Sequence, residues 1–220
     1  MKVLDLFSGT RSVAREFEKR GWLSFTIELD KQHPNIDWYE DIMNVTADDI
    51  LQKFGRPDVI WASPPCTTYS VAGISHHRER VGKKLLPKSE FAKQSDELIK
   101  HTLKLIEELN PQFWFIENPR GGLRKMDFME GLPRHTVTYC QYGFTYMKPT
   151  DIWTNMVDHQ LKPPCKNGDN CHESAPRGAR TGIQRLTNSQ QKSVIPPLLC
   201  EHIAKRCTDE LSFVGKGDIK

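Results

Sequence analysis

The feature that most constrains this chain is the alternation, over its first 120 residues, of short apolar runs with stretches of helical spacing. The runs at 2–7, 23–29, 58–62 and 113–117 have the length and apolar content of buried strands. Between the last two, apolar residues recur every three or four positions, which predicts a helix over about 94–109. Because strands that alternate with helices form parallel sheets, the sequence predicts a doubly wound, mostly parallel α/β fold.

The last third of the chain has a different composition. It begins with a stretch that lacks periodicity and is rich in Pro, Gly, Asn and charged residues, so we expect a small irregular lobe there. Apolar residues then share one face from 194 to 211, which predicts a closing helix with Pro196 and Pro197 near its start. We therefore expect a main domain of residues 1–155 with 185–211, a reduced recognition lobe at 156–184 and a flexible tail at 212–220.

Composition excludes several classes of protein. The chain is 37% hydrophobic and 27% charged, which is ordinary for a globular domain and excludes a disordered or fibrous protein. Its net charge is only +3, so any basic surface must be local. No apolar run approaches the ~20 residues of a membrane span, and the start lacks the pattern of a secretory signal. We expect a cytoplasmic monomer without membrane contact, whose six cysteines are reduced or bind a metal.

The strongest local signal is the segment Trp61-Ala-Ser-Pro-Pro-Cys66, in which a strand runs directly into two prolines and a cysteine. Ligands bind at the carboxyl edge of parallel sheets, and the prolines stiffen the loop that carries the thiol. This arrangement predicts a positioned nucleophile at Cys66. A cysteine after a strand is also often a small core residue, and the segment alone leaves both interpretations open.

Polar residues also follow two other predicted strands. A glycine turn comes after the first strand, and the second strand ends in the acidic Glu28, an arrangement typical of nucleotide binding. Asp41 could place a second carboxylate near a base amine, although an exposed loop aspartate is the more common explanation. Glu117 ends a strongly apolar strand, where its desolvation is costly, so we expect it to donate a proton or hydrogen bond rather than to cap a turn.

In this order, the segments resemble the cytosine carbon-5 DNA methyltransferase family, and in length the chain is most similar to the small bacteriophage members. The resemblance covers most of residues 1–155 and 185–206. It implies S-adenosylmethionine as cofactor, double-stranded DNA as substrate and a flipped cytosine attacked by a Pro-Cys thiolate. The catalytic residues it implies are Cys66, Glu117 and Lys148. The cofactor site it implies is formed by Phe7, Ser8, Gly9, Thr10, Glu28, Leu29, Asp41, Ile42, Pro65, Leu98, Ser193 and Val194.

The chain departs from the family pattern at several positions. Arg11 stands where the family usually has glycine, Pro119 replaces an apolar residue, and Lys192 stands where an asparagine is usual. Lys148 is the lone cation of a segment that is normally rich in Gln and Arg. These departures leave open a catalytically impaired DNA-binding homologue, and the small lobe leaves open an RNA cytosine-5 methyltransferase. An amino-group methyltransferase is less compatible, because an aromatic residue would follow its Pro-Pro, where this chain has Cys66.

Two further clusters have no place in the motifs. Residues 76–93 carry six Lys and Arg against two Glu, which predicts a mobile basic loop that closes on phosphates, although a solvated surface loop has the same composition. The nucleic-acid contacts predicted from charge are Arg78, Arg80, Lys83, Lys84, Arg177 and Arg180. The metal ligands predicted from residue type, for a zinc ion, are His159, Cys165, Cys171 and His172. Their spacing is unusual for zinc, and Cys140 could replace one of them.

Overall fold

The computed structural model describes residues 1–82, 84–174, 191 and 193–214. The strands in chain order are β1 (Lys2–Leu6), β2 (Leu23–Glu28), β3 (Trp38–Tyr39), β4 (Val59–Ala62), β5 (Arg78–Val81), β6 (Lys84–Pro87), β7 (Phe113–Pro119), β8 (Arg134–Thr138) and β9 (Pro149–Thr154). The helices are α1 (Ser12–Glu18), α2 (Ala47–Lys53), α3 (Ile74–His77), α4 (Glu90–Leu109) and α5 (Pro197–Val214). Short 3-10 helices lie at Ile42–Asn44, Leu123–Lys125, Asp127–Met129 and Tyr139–Tyr142.

The main sheet has the strand order β3-β2-β1-β4-β7-β9-β8 within the described residues. Its strands are parallel from β3 through β7, and β9 is antiparallel to both β7 and β8. The predicted fold class is therefore confirmed. Each of the four predicted strands is present, with ends within two residues of those expected.

The apolar runs form strands because both faces of the sheet are buried. On one face, Val3 and Trp61 pack with Phe17 of α1 and Ile203 of α5, and on the other face Leu4 packs in a second core cluster with residues of α4. Covered faces explain why the strands read as continuous apolar runs rather than as alternating patterns.

Helix α4 begins four residues before the predicted start at 94. Ser89 caps it, because its hydroxyl accepts a hydrogen bond from the backbone N–H of Ala92 at 3.1 Å. The large apolar residue of the first turn, Phe91, is exposed, so it does not continue the buried apolar period of the helix. The helix ends where Asn110 adopts a left-handed conformation (φ 44°) immediately before Pro111.

The C-terminal part requires two corrections to the predicted bounds. Helix α5 starts at Pro197 rather than at 194. Proline suits the first position of a helix, and the residue that precedes a proline is disfavoured in the helical conformation. It continues to Val214, so the expected tail from 212 begins inside a helix. Residues 155–174 contain no helix or strand. No helix in the described part of the chain is long and apolar enough to span a bilayer.

Candidate active site

A cavity of about 570 Å³ lies at the carboxyl edge of β1, β4 and β7. This is the edge at which doubly wound sheets bind ligands, and the volume is that of a small-molecule site. Its lining includes the sequence-predicted residues Phe7, Ser8, Gly9, Thr10, Pro65, Cys66, Glu117, Lys148 and Ser193. The fold therefore brings together the predicted nucleophile, the predicted acid and the turn after β1.

The loop that carries Cys66 is held by its own backbone. The N–H groups of Tyr69 and Ser70 both donate to the Cys66 carbonyl oxygen, at 3.0 and 2.8 Å. A Cβ at Gly73 would lie 2.3 Å from the Thr67 carbonyl oxygen, so the loop closes on itself only because Gly73 has no side chain. Thr68 and Tyr69 are fully buried. Cys66 is therefore partly exposed on a loop whose following residues are anchored in the core.

Arg78 anchors this loop from inside the protein. Its burial contradicts the predicted contact with a nucleic-acid phosphate. Its side chain is fully buried, and its guanidinium forms an ion pair with Asp96 at 2.7 Å. It also donates to the Thr68 carbonyl oxygen at 2.9 Å and stacks over the Tyr69 ring at 4.2 Å. Tyr69 in turn donates to Asp96 at 2.7 Å. Arg78 is unavailable to phosphate because Asp96 and the loop backbone occupy its donors.

The predicted mobile loop around Arg78 is instead a β-hairpin. Strands β5 and β6 pair antiparallel from Arg78 opposite Pro87 to Val81 opposite Lys84. Arg80 and Lys84 are exposed on this hairpin, and Lys84 forms an ion pair with Asp127 at 2.7 Å. Lys83, Arg177 and Arg180, which were also predicted to contact nucleic acid, lie outside the described residues.

Burial is the largest influence on the thiol of Cys66 and raises its pKa above the ordinary value. The negative charge of Glu117 raises it further, and the positive charge of Lys148 opposes both effects. The three predicted catalytic side chains are thus electrostatically coupled in one cavity. In the absence of substrate, the nucleophile is held mainly as the neutral thiol.

Glu117 is 6% exposed and accepts a hydrogen bond from the Tyr139 hydroxyl at 2.9 Å. The Lys148 ammonium lies over the ring of the same tyrosine, 4.6 Å from its centroid. Tyr139 therefore orients both the acid and the cation. Sequence reasoning missed Tyr139, which is 22 residues from Glu117 and lies in no recognisable motif.

The residue after Glu117 links β7 to the nucleophile loop. Asn118 is fully buried, and its amide donates to the Pro64 carbonyl oxygen at 2.9 Å. Gly121, a little further on, would place a Cβ 2.3 Å from the Tyr69 carbonyl oxygen. The strand carrying the acid and the loop carrying the thiol therefore have a fixed separation.

The turn after β1 contains three residues with a left-handed backbone conformation. Phe7, Gly9 and Arg11 all have φ between 46° and 59°, in the left-handed region. The Gly9 N–H donates to Glu28 Oε2 at 2.9 Å, which joins the predicted turn to the predicted ribose-binding acid. Arg11 thus adopts a conformation that favours glycine, at a position where glycine is usual in the family.

Asp5 is a cavity residue that sequence reasoning missed. It is 2% exposed, and burial raises its pKa to about 7, with a further increase from the nearby Glu28. The backbone N–H of Ala14 donates to it at 3.2 Å. Its position one residue before the end of β1, facing the cavity, was the available signal.

Six residues predicted to bind the cofactor are not among those that line the cavity: Glu28, Leu29, Asp41, Ile42, Leu98 and Val194. Asp41 instead caps a 3-10 helix, since its carboxylate accepts from the Met43 N–H at 3.0 Å, and Ile42 is buried in the core. Leu29 is 63% exposed, Leu98 packs against the core cluster beneath the sheet, and Val194 lies next to the cavity residues Ser193 and Ile195.

The predicted metal ligands form a cluster, with one exchange. Cys165, Cys171 and His172 lie together with Cys140, and their ligand atoms are all within 4.8 Å of one another. His159 is wrongly included in the predicted set. Its ring lies against that of His135, with centroids 3.6 Å apart and the ring planes tilted by 57°, and its Nδ1 accepts a hydrogen bond from the Leu161 N–H. Cys140 takes the fourth place because β8 ends beside the irregular segment.

The fold and the site together define a class: a Rossmann-like methyltransferase with a cysteine on the loop after β4 and an acid at the end of β7. The model of the C-5 cytosine-specific DNA methylase family matches residues 1–146. The chain therefore belongs to that family, and the resemblance inferred from its motifs is confirmed.

Comparisons with individual proteins agree with this assignment. The chain is 31% identical, over 173 residues covering 78% of each sequence, to a protein of Frog virus 3 (isolate Goorha) assigned as a DNA (cytosine-5)-methyltransferase. Among solved structures, it is similar to a protein of an E. coli prophage assigned as a DNA modification methyltransferase (TM-score 0.51, 19% identity, 70% of this chain and 46% of that chain). It is also similar to the Dnmt2 methyltransferase of S. pombe (TM-score 0.50, 14% identity, 74% and 52%). The chain thus spans about half the length of these two structures.

Proposed function

We propose that this protein transfers a methyl group from S-adenosylmethionine to carbon 5 of cytosine in DNA, with Cys66 as the covalent nucleophile. The observation that carries the proposal is that Cys66, Glu117 and Lys148 line one cavity together with the turn after β1. A nucleophile, an acid and a cofactor-binding turn in one cavity are the components that such a transfer requires.

The cavity fits the cofactor in size and in chemistry. Its volume of about 570 Å³ suits a nucleoside with an amino-acid tail. Phe7 and Val13 give it apolar walls, and Asp5 supplies a buried carboxyl group next to the turn. Glu28 Oε2 has a single donor among the described residues, the Gly9 N–H, which leaves this oxygen able to accept from a ribose hydroxyl. When bound, the cofactor supplies an electrophilic methyl group.

The residues of the chain then have distinct roles at the cytosine. The Cys66 thiol passes its proton to Glu117 as the sulfur forms a bond to ring carbon 6, and Glu117 donates that proton to N3, which stabilises the added electron pair. Carbon 5 becomes nucleophilic and accepts the methyl group, which leaves the cofactor sulfur. Loss of the carbon-5 proton to a water molecule then expels the Cys66 sulfur as a thiolate, which takes back the N3 proton through Glu117, and the aromatic ring is restored.

Tyr139 and Lys148 support this addition without bonding to the ring. Tyr139 holds the Glu117 carboxyl group through the 2.9 Å hydrogen bond. Lys148 favours the ionised form of Cys66, against the effects of burial and of Glu117. Its charge therefore helps the nucleophile at the step that needs a thiolate.

Cytosine in a duplex must leave the base stack before it can reach Cys66, at a cost of a few kcal/mol. Contacts with phosphates are the usual source of that energy. Arg120 is exposed and lines the cavity next to Pro119, and Arg80 and Lys84 are exposed on the hairpin after the nucleophile loop. We place the DNA backbone along these residues, with Arg78 excluded by its burial.

The test is incubation of the protein with labelled S-adenosylmethionine and either duplex DNA or a structured RNA. We expect label in DNA at carbon 5 of cytosine. Label in RNA alone would replace the substrate, and absence of transfer to both, with cofactor bound, would favour an impaired DNA-binding homologue. DNA carrying 5-fluorocytosine should form an adduct with the wild-type protein that survives denaturation, because a fluorine at carbon 5 cannot leave as a proton does.

The cluster of Cys140, Cys165, Cys171 and His172 does not line this cavity, and the proposed reaction assigns it no step.

A further inference from the structure

Three cysteine sulfurs and one imidazole nitrogen converge where the segment after β9 packs beside the 3-10 helix Tyr139–Tyr142. The Cys140 sulfur lies 3.1 Å from that of Cys165 and 3.6 Å from that of Cys171. His172 Nδ1 lies 3.7 Å from the Cys165 sulfur and 3.5 Å from the Cys171 sulfur. The four ligand atoms thus occupy a space in which each is within 4.8 Å of all the others.

These separations approach the edges of a zinc tetrahedron. Bond lengths of about 2.3 Å to sulfur and about 2.0 Å to nitrogen imply edges of about 3.8 Å between sulfurs and about 3.5 Å between sulfur and nitrogen. The 3.1 Å pair is the shortest, yet it is far from the ~2.0 Å of a disulfide, and all six cysteines are free. We propose that Cys140, Cys165, Cys171 and His172 bind one structural Zn²⁺ ion.

The surroundings of the sulfurs suit a thiolate site. The Gln141 side-chain amide donates towards the Cys171 sulfur at 3.6 Å, and the Cys165 backbone N–H donates to the Thr138 hydroxyl at 3.0 Å. Donors and backbone contacts of this kind orient metal ligands. Cys140 is 7% exposed, which places one side of the cluster against the core.

The ion would explain how residues 155–174 hold a fixed shape without a helix or strand. Most side chains in this segment are exposed, and Met156 is its one buried residue. Backbone hydrogen bonds from Lys162 to the Tyr142 hydroxyl (2.8 Å) and from Glu173 to the Thr145 carbonyl (2.8 Å) attach it to the chain after β8. Zinc would cross-link the segment to the same place, as metals do where a core is too small.

This cross-link has a consequence that rests on the proposed function. Cys140 directly follows Tyr139, the residue that donates to Glu117. A metal bound at Cys140 fixes the 3-10 helix Tyr139–Tyr142 and with it the hydroxyl that orients the catalytic acid. The zinc site therefore helps to position Glu117 and also fixes the segment at 155–174.

Metal content and metal coordination test the site without any measurement of methylation. We expect the full chain, purified under reducing conditions, to contain one zinc ion, and its X-ray absorption to show three sulfur ligands and one nitrogen. His172→Gln and Cys171→Ser should each weaken zinc binding roughly 100-fold or more. His159→Gln is the matched control, because residue type predicts it as a ligand and the structure excludes it, so its zinc should be unchanged.

The proposal is overturned if the reduced protein binds no zinc after reconstitution, if a Cys140–Cys165 disulfide persists in place of the metal, or if His159→Gln loses zinc as His172→Gln does. Titration of the apoprotein with Co²⁺ guards against variants that fail to fold. Wild-type protein should give the intense visible bands of a tetrahedral thiolate site, and an octahedral spectrum would contradict the assignment.

Removal of zinc from the wild-type protein with a chelator tests the coupling to Glu117. We expect turnover to fall while the affinity for S-adenosylmethionine is kept, and readdition of Zn²⁺ should restore the rate. Unchanged turnover would mean that the ion stabilises only the segment at 155–174, and it would overturn the positioning role for Glu117. Failure of the proposed function is distinct from both results, because the zinc-loaded protein would then transfer no methyl group to DNA.

Discussion

Two irregular segments carry the cysteines of interest, and they are ordered in different ways. The loop at 63–73 is short, and its residues Thr68 and Tyr69 are fully buried above the guanidinium of Arg78. The segment at 155–174 is twice as long and mostly exposed, with its sulfurs gathered at one point. The first loop is held by buried contacts with the core, whereas the second brings Cys165, Cys171 and His172 together with Cys140.

These two ways of ordering a segment leave its cysteines with different roles. A loop fixed by buried hydrogen bonds can present a partly exposed thiol at a defined place without using that thiol for structure. In the second segment the two thiols belong to the proposed zinc site, and a thiol bound to zinc is unavailable as a nucleophile. The same residue type therefore reads as nucleophile or as ligand according to what else fixes its loop.

The largest effect is expected at the first loop. Cys66→Ser should abolish methyl transfer, because a neutral hydroxyl is a far weaker nucleophile than a thiolate. The fold and the affinity for S-adenosylmethionine should be retained, since Cys66 is partly exposed and anchors no neighbour. Activity assays with calorimetry of cofactor binding check both. Appreciable turnover by the serine variant would mean that the sulfur is not the attacking atom.

The next effect concerns the anchor of the same loop. Arg78→Ala should destabilise the protein by about 3–5 kcal/mol, because it leaves Asp96 buried without its counter-ion. Arg80→Ala, on the exposed side of the same strand, should change stability by no more than about 0.5 kcal/mol. Urea unfolding followed by circular dichroism measures both, and equal effects would show that the hairpin is a surface loop after all.

Glu117 lines the cavity with Cys66 and accepts a hydrogen bond from Tyr139, the residue before Cys140. Glu117→Gln should lower turnover by about 10²-fold or more, the usual scale for a lost proton-transfer partner. Tyr139→Phe keeps the carboxyl group and loses a single hydrogen bond to it, so its effect should be smaller, about 10-fold. Steady-state kinetics with saturating cofactor measure the ratio. If Tyr139→Phe has no effect, the acid is oriented by other contacts.

The pH dependence of Cys66 tests the electrostatics of the loop. Because burial and Glu117 raise the thiol pKa, alkylation of Cys66 by iodoacetamide should accelerate as pH rises towards that value. Glu117→Gln removes a negative charge and should move the profile to lower pH, whereas Lys148→Met removes a positive charge and should move it to higher pH. Mass spectrometry at residue 66 gives the rates. Shifts in the same direction would refute the assigned couplings.

The smallest effect concerns surface charge. The double variant Arg80→Ala with Lys84→Ala should reduce the slope of log K against log salt for a short duplex by up to about 1.8, since each phosphate contact contributes about 0.9. Lys19→Ala with Lys104→Ala is the control of equal charge, just after α1 and on α4, and its slope should match the wild type. Identical slopes for both double variants would identify the hairpin as solvated surface and leave Arg120 as the phosphate contact to test.

Much of the fold and part of the site followed from local pattern. Apolar runs with polar ends fix the strands, and parallel strands bring their carboxyl ends to one edge, so Gly9, Cys66 and Glu117 were predicted to share a site before any contact was known. These inferences succeed because strand ends are set by residues that are neighbours in the chain.

The tertiary structure decided what depends on distant partners. Arg78 and Asp96, 18 residues apart, pair inside the protein, although charge alone placed the arginine on the surface. Cys140 replaces His159 in the cluster because the end of β8 packs beside the segment at 155–174, which begins 17 residues later in the chain. No rule of residue spacing encodes this proximity. Tyr139 reaches Glu117 across 22 residues for the same reason. A sequence determines which groups are present and which elements form, whereas the packing of those elements selects the partner that each buried polar group must find.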